Sequence, residues 1–556
     1  MRSSAPANSR LIGRGLGIGA VAAVPITFLA LFFLYPVGAL LWRGLAPQGH
    51  IDLGPLRSVW SSSGTGQVVW FTLWSAGLAT IVAVALGLPV AHVLYRLRFP
   101  GRDLLRGVVT LPFVMPTVVV GLAFTQLFGG HGWLSWLGLS GTGTAIVIGL
   151  VYFNIGVVVR TVGRFWQDLD PRLGQAAAAL GASPARVWFT VTLRSLMPAI
   201  AAAASVVFLF CATAFGVVLM MGGLRYSNLE TEIYYLTTEQ FDLPSATALS
   251  VLQLVAIVVL LLLVGRIRPR RLNRVPSALR RPRAKDAGPL IVTGLVMVGV
   301  LLPLISLATA SLRRDGQWSL HYFSSLTSTG SEPGGGSALL VSPMSALGNS
   351  LSIALVASVL ALAMGLLVSN LLSRSQAHVR WAPAAKAMDG VFMLPLGVSA
   401  VTLGFGFLIT LNRAPLDLRG SFWLIPIAQA LVALPLVVRT VLPIWRSIDD
   451  RQRQAAATLG ARPWQVLVSV DLPLVGRATL TAAGFALAVS MGEFGATSFL
   501  ARDNAPTLPV VIYKLLAHPG TDNFGMAVAA ATILALVSAG LMIAFERFAE
   551  RSGGAW

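Results

Sequence analysis

The sequence predicts an all-α fold: a polytopic membrane protein of about twelve transmembrane helices, arranged as two parallel six-helix repeats. Three observations carry this expectation. Apolar runs longer than about 18 residues recur along all 556 residues, and each is long enough, at 1.5 Å per helical residue, to cross a hydrocarbon core about 30 Å thick. Hydrophobic residues make up 55% of the chain and charged residues 11%, whereas a soluble domain carries about 25% charged residues. The phrase Gln175-Ala-Ala-Ala-Ala-Leu-Gly-Ala-Ser-Pro-Ala-Arg-Val187 returns as Gln454-Ala-Ala-Ala-Thr-Leu-Gly-Ala-Arg-Pro-Trp-Gln-Val466, 279 residues later, with nine of thirteen positions identical. Long continuous runs exclude a membrane barrel, whose strands would be alternating segments of about ten residues.

Six spans are expected near 18–42, 67–95, 106–128, 143–160, 195–221 and 244–265, and six more near 288–310, 349–373, 388–411, 421–443, 475–500 and 525–545. The first run, Ile18 to Trp42, is too long for a signal-peptide core and reads as an uncleaved first span. Arginine sets the orientation. Arg2, Arg10 and Arg14 precede span one; Arg96, Arg98, Arg102 and Arg106 follow span two; Arg160, Arg164, Arg172, Arg186 and Arg194 follow span four; and residues 266–285 hold nine Lys/Arg and no acid. Residues 129–142 hold no basic group except His131, and 222–243 set Glu230, Glu232, Glu239 and Asp242 against Arg225. Both termini and both copies of the phrase are therefore expected in the cytosol; Arg313 and Arg314 are the main exceptions. The net charge of +20 flanks apolar runs, which reads as topology and excludes nucleic acid as the expected partner.

The domain reading follows: residues 1–265 as the first half with a loop at 164–194, 266–287 as a basic cytosolic linker, and 288–556 as the second half with a loop at 444–474. Residues 324–342, rich in Ser, Gly and Thr, read as an outer loop without chemistry. At the same offset of 279, Asp170 matches Asp449, Phe215-Gly216 matches Phe494-Gly495, and Ile233-Tyr234 matches Ile512-Tyr513; Leu111-Pro112 with Gly121 matches Leu394-Pro395 with Gly404 at 283. An even number of spans per half gives both halves one orientation, with the substrate path expected at the repeat interface.

Each copy of the phrase reads as two short helices meeting at a glycine. Asp170-Pro171 starts the first: Asp accepts from free amides, and Pro at the first helical position loses no hydrogen bond. Gly181 and Gly460 suit the left-handed conformation that ends a helix, and Pro184 and Pro463 start the next. The alanines permit close approach of a partner backbone. The expected docking residues are Gln175, Ala176, Ala177, Gly181, Ala182 and Pro184, and Gln454, Ala455, Ala456, Gly460, Ala461 and Pro463.

Gln-Ala-Ala-x3-Gly resembles the loop of ABC importer permeases in which Glu-Ala-Ala forms a coupling helix that docks on an ATPase subunit. The resemblance implies the type I importer arrangement, two ATPase copies, an external or periplasmic solute-binding protein, and a bacterial plasma (inner) membrane location. Two departures stand out: the leading Glu is Gln175 and Gln454, and the closing Leu-Pro survives as Leu472-Pro473 but reads Leu193-Arg194 in the first copy. Docking is expected to survive both. The only lysines are Lys285, Lys386 and Lys514, and none follows glycine, so the chain lacks the Gly-Lys-Ser/Thr of a phosphate-binding loop. No cofactor is expected in this chain; ATP and magnesium belong to the partner. Gly132-Trp133-Leu134, Asn228 to Tyr234, Gly492-Glu-Phe-Gly495 and Thr507 to Tyr513 make the chain similar to fused thiamine permeases, with the ferric-iron branch as the alternative.

Glu493, Phe215 and Phe494 are the candidate path residues. A carboxylate at membrane depth is costly and faces a cavity or a partner. Glu493 has Ala214 as its counterpart, so it reads either as a contact for a cationic solute or as a packing group bonded to the neighbouring repeat. Glu230 and Glu232 read as a solvated loop face or as contacts for a delivering protein. His131 has no partner at helical spacing, no metal site is expected, and Cys211 is the sole cysteine. A twelve-span secondary transporter is the rival of another class. It would need paired intramembrane charges and leaves the doubled phrase unexplained.

Overall fold

Long apolar segments broken by proline, glycine and short polar caps fold into helices throughout the computed structural model, which describes residues 23–46, 50, 54, 63–130, 132–223, 225–265, 279–331, 336–376, 382–412 and 416–551. The helices are α1 (Ala23–Leu45), α2 (Ser63–Arg96), α3 (Arg102–Val114), α4 (Thr117–Phe128), α5 (Gly143–Gln167), α6 (Arg172–Ala179), α7 (Pro184–Ala212), α8 (Gly216–Gly222), α9 (Leu229–Thr238) and α10 (Leu243–Gly265). They recur as α11 (Ala287–Ser311), α12 (Pro343–Gln376), α13 (Ala382–Gly397), α14 (Ala400–Thr410), α15 (Leu424–Ser447), α16 (Asp450–Thr458), α17 (Pro463–Gly492), α18 (Gly495–Leu500), α19 (Leu508–Ala517) and α20 (Thr521–Arg551). Every helix of the first repeat thus has a counterpart ten numbers on. The strands among the described residues are β1 (Arg313–Arg314) and β2 (Gln317–Trp318), a small antiparallel hairpin with Arg313 opposite Trp318.

Ten of these helices are long and apolar enough to span a membrane, and two bent pairs raise the number to twelve. The bent pairs replace two spans expected to be single. α3 and α4 meet at 101°, and the end of α13 meets α14 at 89°. The first bend follows from proline: Met115 is extended, as a residue before Pro must be, and Pro116 opens α4. In the second, Ser399 takes the place of Pro116, and its hydroxyl accepts from Thr402 N at 2.9 Å. Spans five and eleven are likewise interrupted, between Ala212 and Gly216 and between Gly492 and Gly495.

Glycine sets the contacts of these broken segments. A Cβ on Gly121 of α4 would lie 2.6 Å from Met220 Cβ of α8, and one on Gly404 of α14 would lie 2.7 Å from Ala496 Cα of α18. The facing glycines are equally confined: a Cβ on Gly216 would meet Thr117 Cβ at 3.0 Å, and one on Gly495 would meet Ala400 Cβ at 3.1 Å. These are the glycines that the repeat brings back, so the repetition records a close helix crossing made twice.

Packing cuts across the sequence halves 1–265 and 288–556. One compact unit comprises residues 1–43, 346–507 and 537–556; the other comprises 44–345 and 508–536. In the first unit α1 lies on the second repeat: Arg43 donates to the Ile409 carbonyl at 3.0 Å, and Pro36 sits against Gly406. In the second unit α11 packs on α2, α3 and α4 of the first repeat. Each repeat therefore gives its leading span to the other's helices. The long helices keep apolar side chains outward as well as inward. Ile291, Leu295 and Val298 form an exposed stripe on α11, as a helix in lipid requires.

The linker is described only from residue 279, and residues 266–278 lie outside the described residues, as do Arg2, Arg10, Arg14 and His131. Arg280 holds Asp286 with two hydrogen bonds of 2.6 Å and pairs its backbone with the end of α2, accepting from Arg98 N at 2.8 Å. Asp286 also meets His92 Nε2 at 3.2 Å. The outer segment 324–342, expected as a plain loop, is tied down where it is described. Asn523 accepts from Ser331 N at 3.2 Å and donates to the Ser331 carbonyl at 2.8 Å.

Gly404→Ala is expected to lower stability by about 1–3 kcal/mol, the usual cost of overpacking. Gly476→Ala, in α17 with open space around it, is expected to be neutral or to add up to about 1 kcal/mol. Melting temperatures of the two purified variants in detergent decide the matter; equal values would contradict the crossing.

Candidate functional site

The two copies of the phrase fold alike. α6 begins where Arg172 N donates to Asp170 Oδ1 at 2.9 Å, and α16 begins where Arg451 N donates to Asp449 Oδ1 at the same distance. Gly181 and Gly460 end these helices at φ +83° and +88°. Gly181 N donates to the Ala178 carbonyl at 3.0 Å and Ala182 N to the Ala177 carbonyl at 3.1 Å. Gly460 repeats this on Ala457 and Ala461 on Ala456, at the same two distances. Reversed helix ends of this kind need a residue free to adopt positive φ.

The expected docking residues lie on the open side of both elbows. Gln175, Ala176 and Pro184 are exposed and Ala177 and Ala182 half-buried; Gln454, Ala455 and Pro463 match the first group, and Ala456 and Ala461 the second. Leu180 and Leu459, just before each glycine, are both 89% exposed. Neither is among the expected docking residues, although the repeat preserves both. Leu459, Gly460, Ala461, Trp464, Gln465, Val468 and Ser469 line a shallow open depression beside the second elbow. Both elbows thus present the same exposed leucine beside the glycine.

The second helix of each elbow differs from expectation. It is not short: Pro184 opens α7, which continues to Ala212, and Pro463 opens α17, which continues to Gly492. Each passes through a π turn, Trp188–Thr192 in one and Leu467–Asp471 in the other, at matching positions. Leu193 and Leu472 follow those turns alike, so Arg194 in place of proline leaves the backbone course unchanged.

A buried tryptophan supports each π turn. Trp166, at the end of α5, stacks on Trp188 with ring centroids 5.3 Å apart and on His92 at 5.2 Å. Trp445, its counterpart at the end of α15, is buried in a core with Val441, Val475 and Ala482, against which Leu467 packs. The spacing of 279 between the two tryptophans was the available signal. The second elbow has a further strut. Arg453 donates to Asp471 Oδ1 and to Asp450 Oδ1, each at 2.7 Å, and Asp471 is fully buried. The first elbow has Gly174 at the position of Arg453 and Thr192 at that of Asp471, so it lacks this tie.

The far ends of α7 and α17 carry the candidate path residues. Phe215 and Phe494 sit at the breaks before α8 and α18, only 6% and 2% exposed. Glu493 is 6% exposed, and its carboxylate accepts from Ala496 N at 2.7 Å and Thr497 N at 3.0 Å, with the Thr497 hydroxyl as a third donor. It therefore caps α18 of its own segment. At the corresponding break in the first repeat, Asn228 donates to the Ala214 carbonyl at 2.6 Å. Two different side chains thus satisfy the same interruption.

The outer acids depart from a solvated face. Glu230 is fully buried and accepts from Gln253, and Glu232 is half-buried, with burial pushing its carboxyl above the usual carboxylate range. Among the described residues, no group of three or more His, Cys, Asp or Glu is placed to hold a metal ion.

The chain belongs to the family described as the binding-protein-dependent transport system inner membrane component, whose profile fits residues 83–273 and again 382–553. It is a fused permease of the ABC importer kind, an inner-membrane protein with two copies of the family domain. It is similar to the thiamine transport system permease protein ThiP of Escherichia coli K12, with 27% identity over 517 residues and 90% of each chain covered. It is 26% identical to the protein of the same description from Haemophilus influenzae Rd over 540 residues, 94% of each chain. Among solved structures, a bacterial ABC transporter involved in import of the acidic polysaccharide alginate matches with a TM-score of 0.41 and 19% identity, over 48% of this chain and all of that one.

Arg453→Ala leaves Asp471 buried without its guanidinium, and a loss of about 3 kcal/mol is expected. Gly174→Ala in the first elbow, where a Cβ would reach only Val187 at an ordinary 3.5 Å, is expected to stay within about 1 kcal/mol of the parent. Thermal unfolding of both variants checks this; equal stability would show that the strut contributes nothing.

Proposed function

We propose that this chain is the membrane subunit of an ATP-driven importer that takes thiamine, or a phosphorylated form of it, from an external binding protein into the cytosol. The observation that carries the reading is the pair of equivalent elbows, each with an exposed leucine and each continuous with a long helix. Two copies of an ATPase subunit fit two equivalent elbows. The chain itself performs no chemistry: it lacks a phosphate-binding loop, and energy reaches it as movement. Membership of a binding-protein-dependent family supports the external partner. The likeness to thiamine transport permeases supports thiamine as the solute. The relatives named above give no specific support to the ferric-iron alternative.

In this reading both termini and both elbows face the cytosol, as the arginine distribution requires. α7 and α17 are continuous through 29 and 30 residues, a reach of about 45 Å at 1.5 Å per residue. A push on an elbow is delivered at the Phe215 or Phe494 break, because the π turn between them is buttressed by Trp166 or Trp445. Closure of the ATPase pair then rocks the two repeats between states open to opposite sides. A secondary transporter gives no role to twin exposed elbows.

The test uses the complex isolated with its ATPase and reconstituted with its binding protein. Gly181→Val and Gly460→Val have open space around the new side chain but strain the backbone by about 1–2 kcal/mol each, so the membrane fold should persist. Each is expected to cut binding-protein-stimulated ATP hydrolysis and thiamine uptake by about tenfold or more. Normal stimulated hydrolysis in both variants, or proton-driven uptake by the chain without an ATPase, would overturn the proposal.

A further inference from the structure

α9 and α19 are counterparts, and Tyr234 and Tyr513 occupy the same position in them, 279 residues apart. The two rings touch. Their centroids are 6.3 Å apart at an interplanar angle of 82°, and their hydroxyls share a hydrogen bond. An axis of twofold symmetry maps only its own points onto themselves. Two equivalent side chains in mutual contact therefore flank the approximate axis that relates their helices, one on each side. Both helices belong to one compact unit, and the ring pair is an internal contact of that unit.

The neighbours of the pair connect it to the rest of the site. Phe215, at the break that ends α7, stacks on Tyr234 with centroids 5.3 Å apart. The break that ends a helix begun at an elbow thus touches one tyrosine of the pair. Tyr235 lies 6.0 Å from Tyr234 and donates to the Gly223 carbonyl at 3.4 Å. Glu239, exposed at the end of α9, acts electrostatically on all three tyrosines.

We propose that Tyr234 and Tyr513 form the outer gate of the path, and that their ring faces, with Tyr235 and the carboxylate of Glu239, receive a planar aromatic cation as the gate parts. An edge-to-face pair with one hydrogen bond is a contact that closes readily and separates readily. Once apart, the rings offer electron-rich faces to delocalised positive charge. One carboxylate and three phenols do not replace the hydration shell of a metal ion, so a bare cation is disfavoured. The gate half depends on the transport reading above but not on thiamine being the solute.

The experiment uses the full complex of permease, ATPase and binding protein in proteoliposomes. Tyr234→Cys and Tyr513→Cys are introduced together with Cys211→Ser, which removes the sole native thiol while keeping an acceptor for Asn154. Bridging the pair with a bifunctional methanethiosulfonate is expected to lower binding-protein-stimulated ATP hydrolysis by roughly tenfold, with recovery on reduction. Each single cysteine variant treated alike should stay within about twofold of its untreated level. A bridged pair with full stimulated hydrolysis would overturn the gate. Should the cysteine pair fail to assemble, Tyr234→Phe with Tyr513→Phe keeps the rings and removes the shared hydrogen bond. Hydrolysis without binding protein should then rise about threefold, and an unchanged rate would overturn the gate. Glu239→Gln is expected to raise the KM for thiamine about fivefold with kcat retained, and an unchanged KM would overturn the cation site. Stimulated hydrolysis without thiamine uptake by the unmodified complex would sink the thiamine reading alone, because the bridging result is read on hydrolysis.

Discussion

Everything in this molecule depends on a backbone constraint met twice: a helix that must reverse within one residue and hand its direction to a second helix. Gly181 and Gly460 meet it by adopting positive φ, and the two hydrogen bonds that close each reversal have the same lengths in both copies. Without the reversal, α6 and α16 would run on into polar solvent, and the exposed leucines would not project beside the start of a long helix. With it, a short surface helix and a membrane helix become one lever. A Cβ on either glycine would meet nothing within 4 Å, so conformation, rather than space, selects the residue.

The lever matters because of what stands along it. Buried tryptophans pack against the π turns near the elbows. At the other end the spans are interrupted, and the polar backbone exposed by each interruption is satisfied locally, by Glu493 in one repeat and by Asn228 in the other. Broken helices at membrane depth are tolerated only where such partners exist. The repeats are therefore equal in course and unequal in chemistry. The Arg453–Asp471 strut adds a second inequality at the elbows themselves.

The helical class, the span number and the doubled elbow were legible in the sequence because each rests on a local signal: apolar length, arginine flanks, and a cap–alanine–glycine–proline order. The bends at Met115–Pro116 and before Ser399 were hidden because hydropathy carries no direction; both halves of each bent pair are apolar, and only the residue before a proline hinted at the turn. The continuity of α7 and α17 across their polar beginnings was missed for the opposite reason, since charged residues such as Arg186 and Arg194 read as loop although their backbone is helical. Glu493 could be flagged as costly, but its partners, three and four residues on, follow from the break and not from the pattern. The exchange of α1 and α11 between the repeats left no local trace at all, because helix packing in lipid is decided by shape, with small residues permitting approach.

The central claim is that each elbow and the break beyond it move as one body. Spin labels at Ser183 and Arg462 report on the elbows, and labels at Gln240 and Ala517 report on the ends of α9 and α19. Electron–electron double resonance on both label pairs, in the assembled complex with and without trapped ATP, measures the two ends of the lever together. The account predicts that the elbow distance shortens and the α9–α19 distance lengthens under the same nucleotide condition. An elbow distance that changes while the α9–α19 distance stays fixed would contradict it.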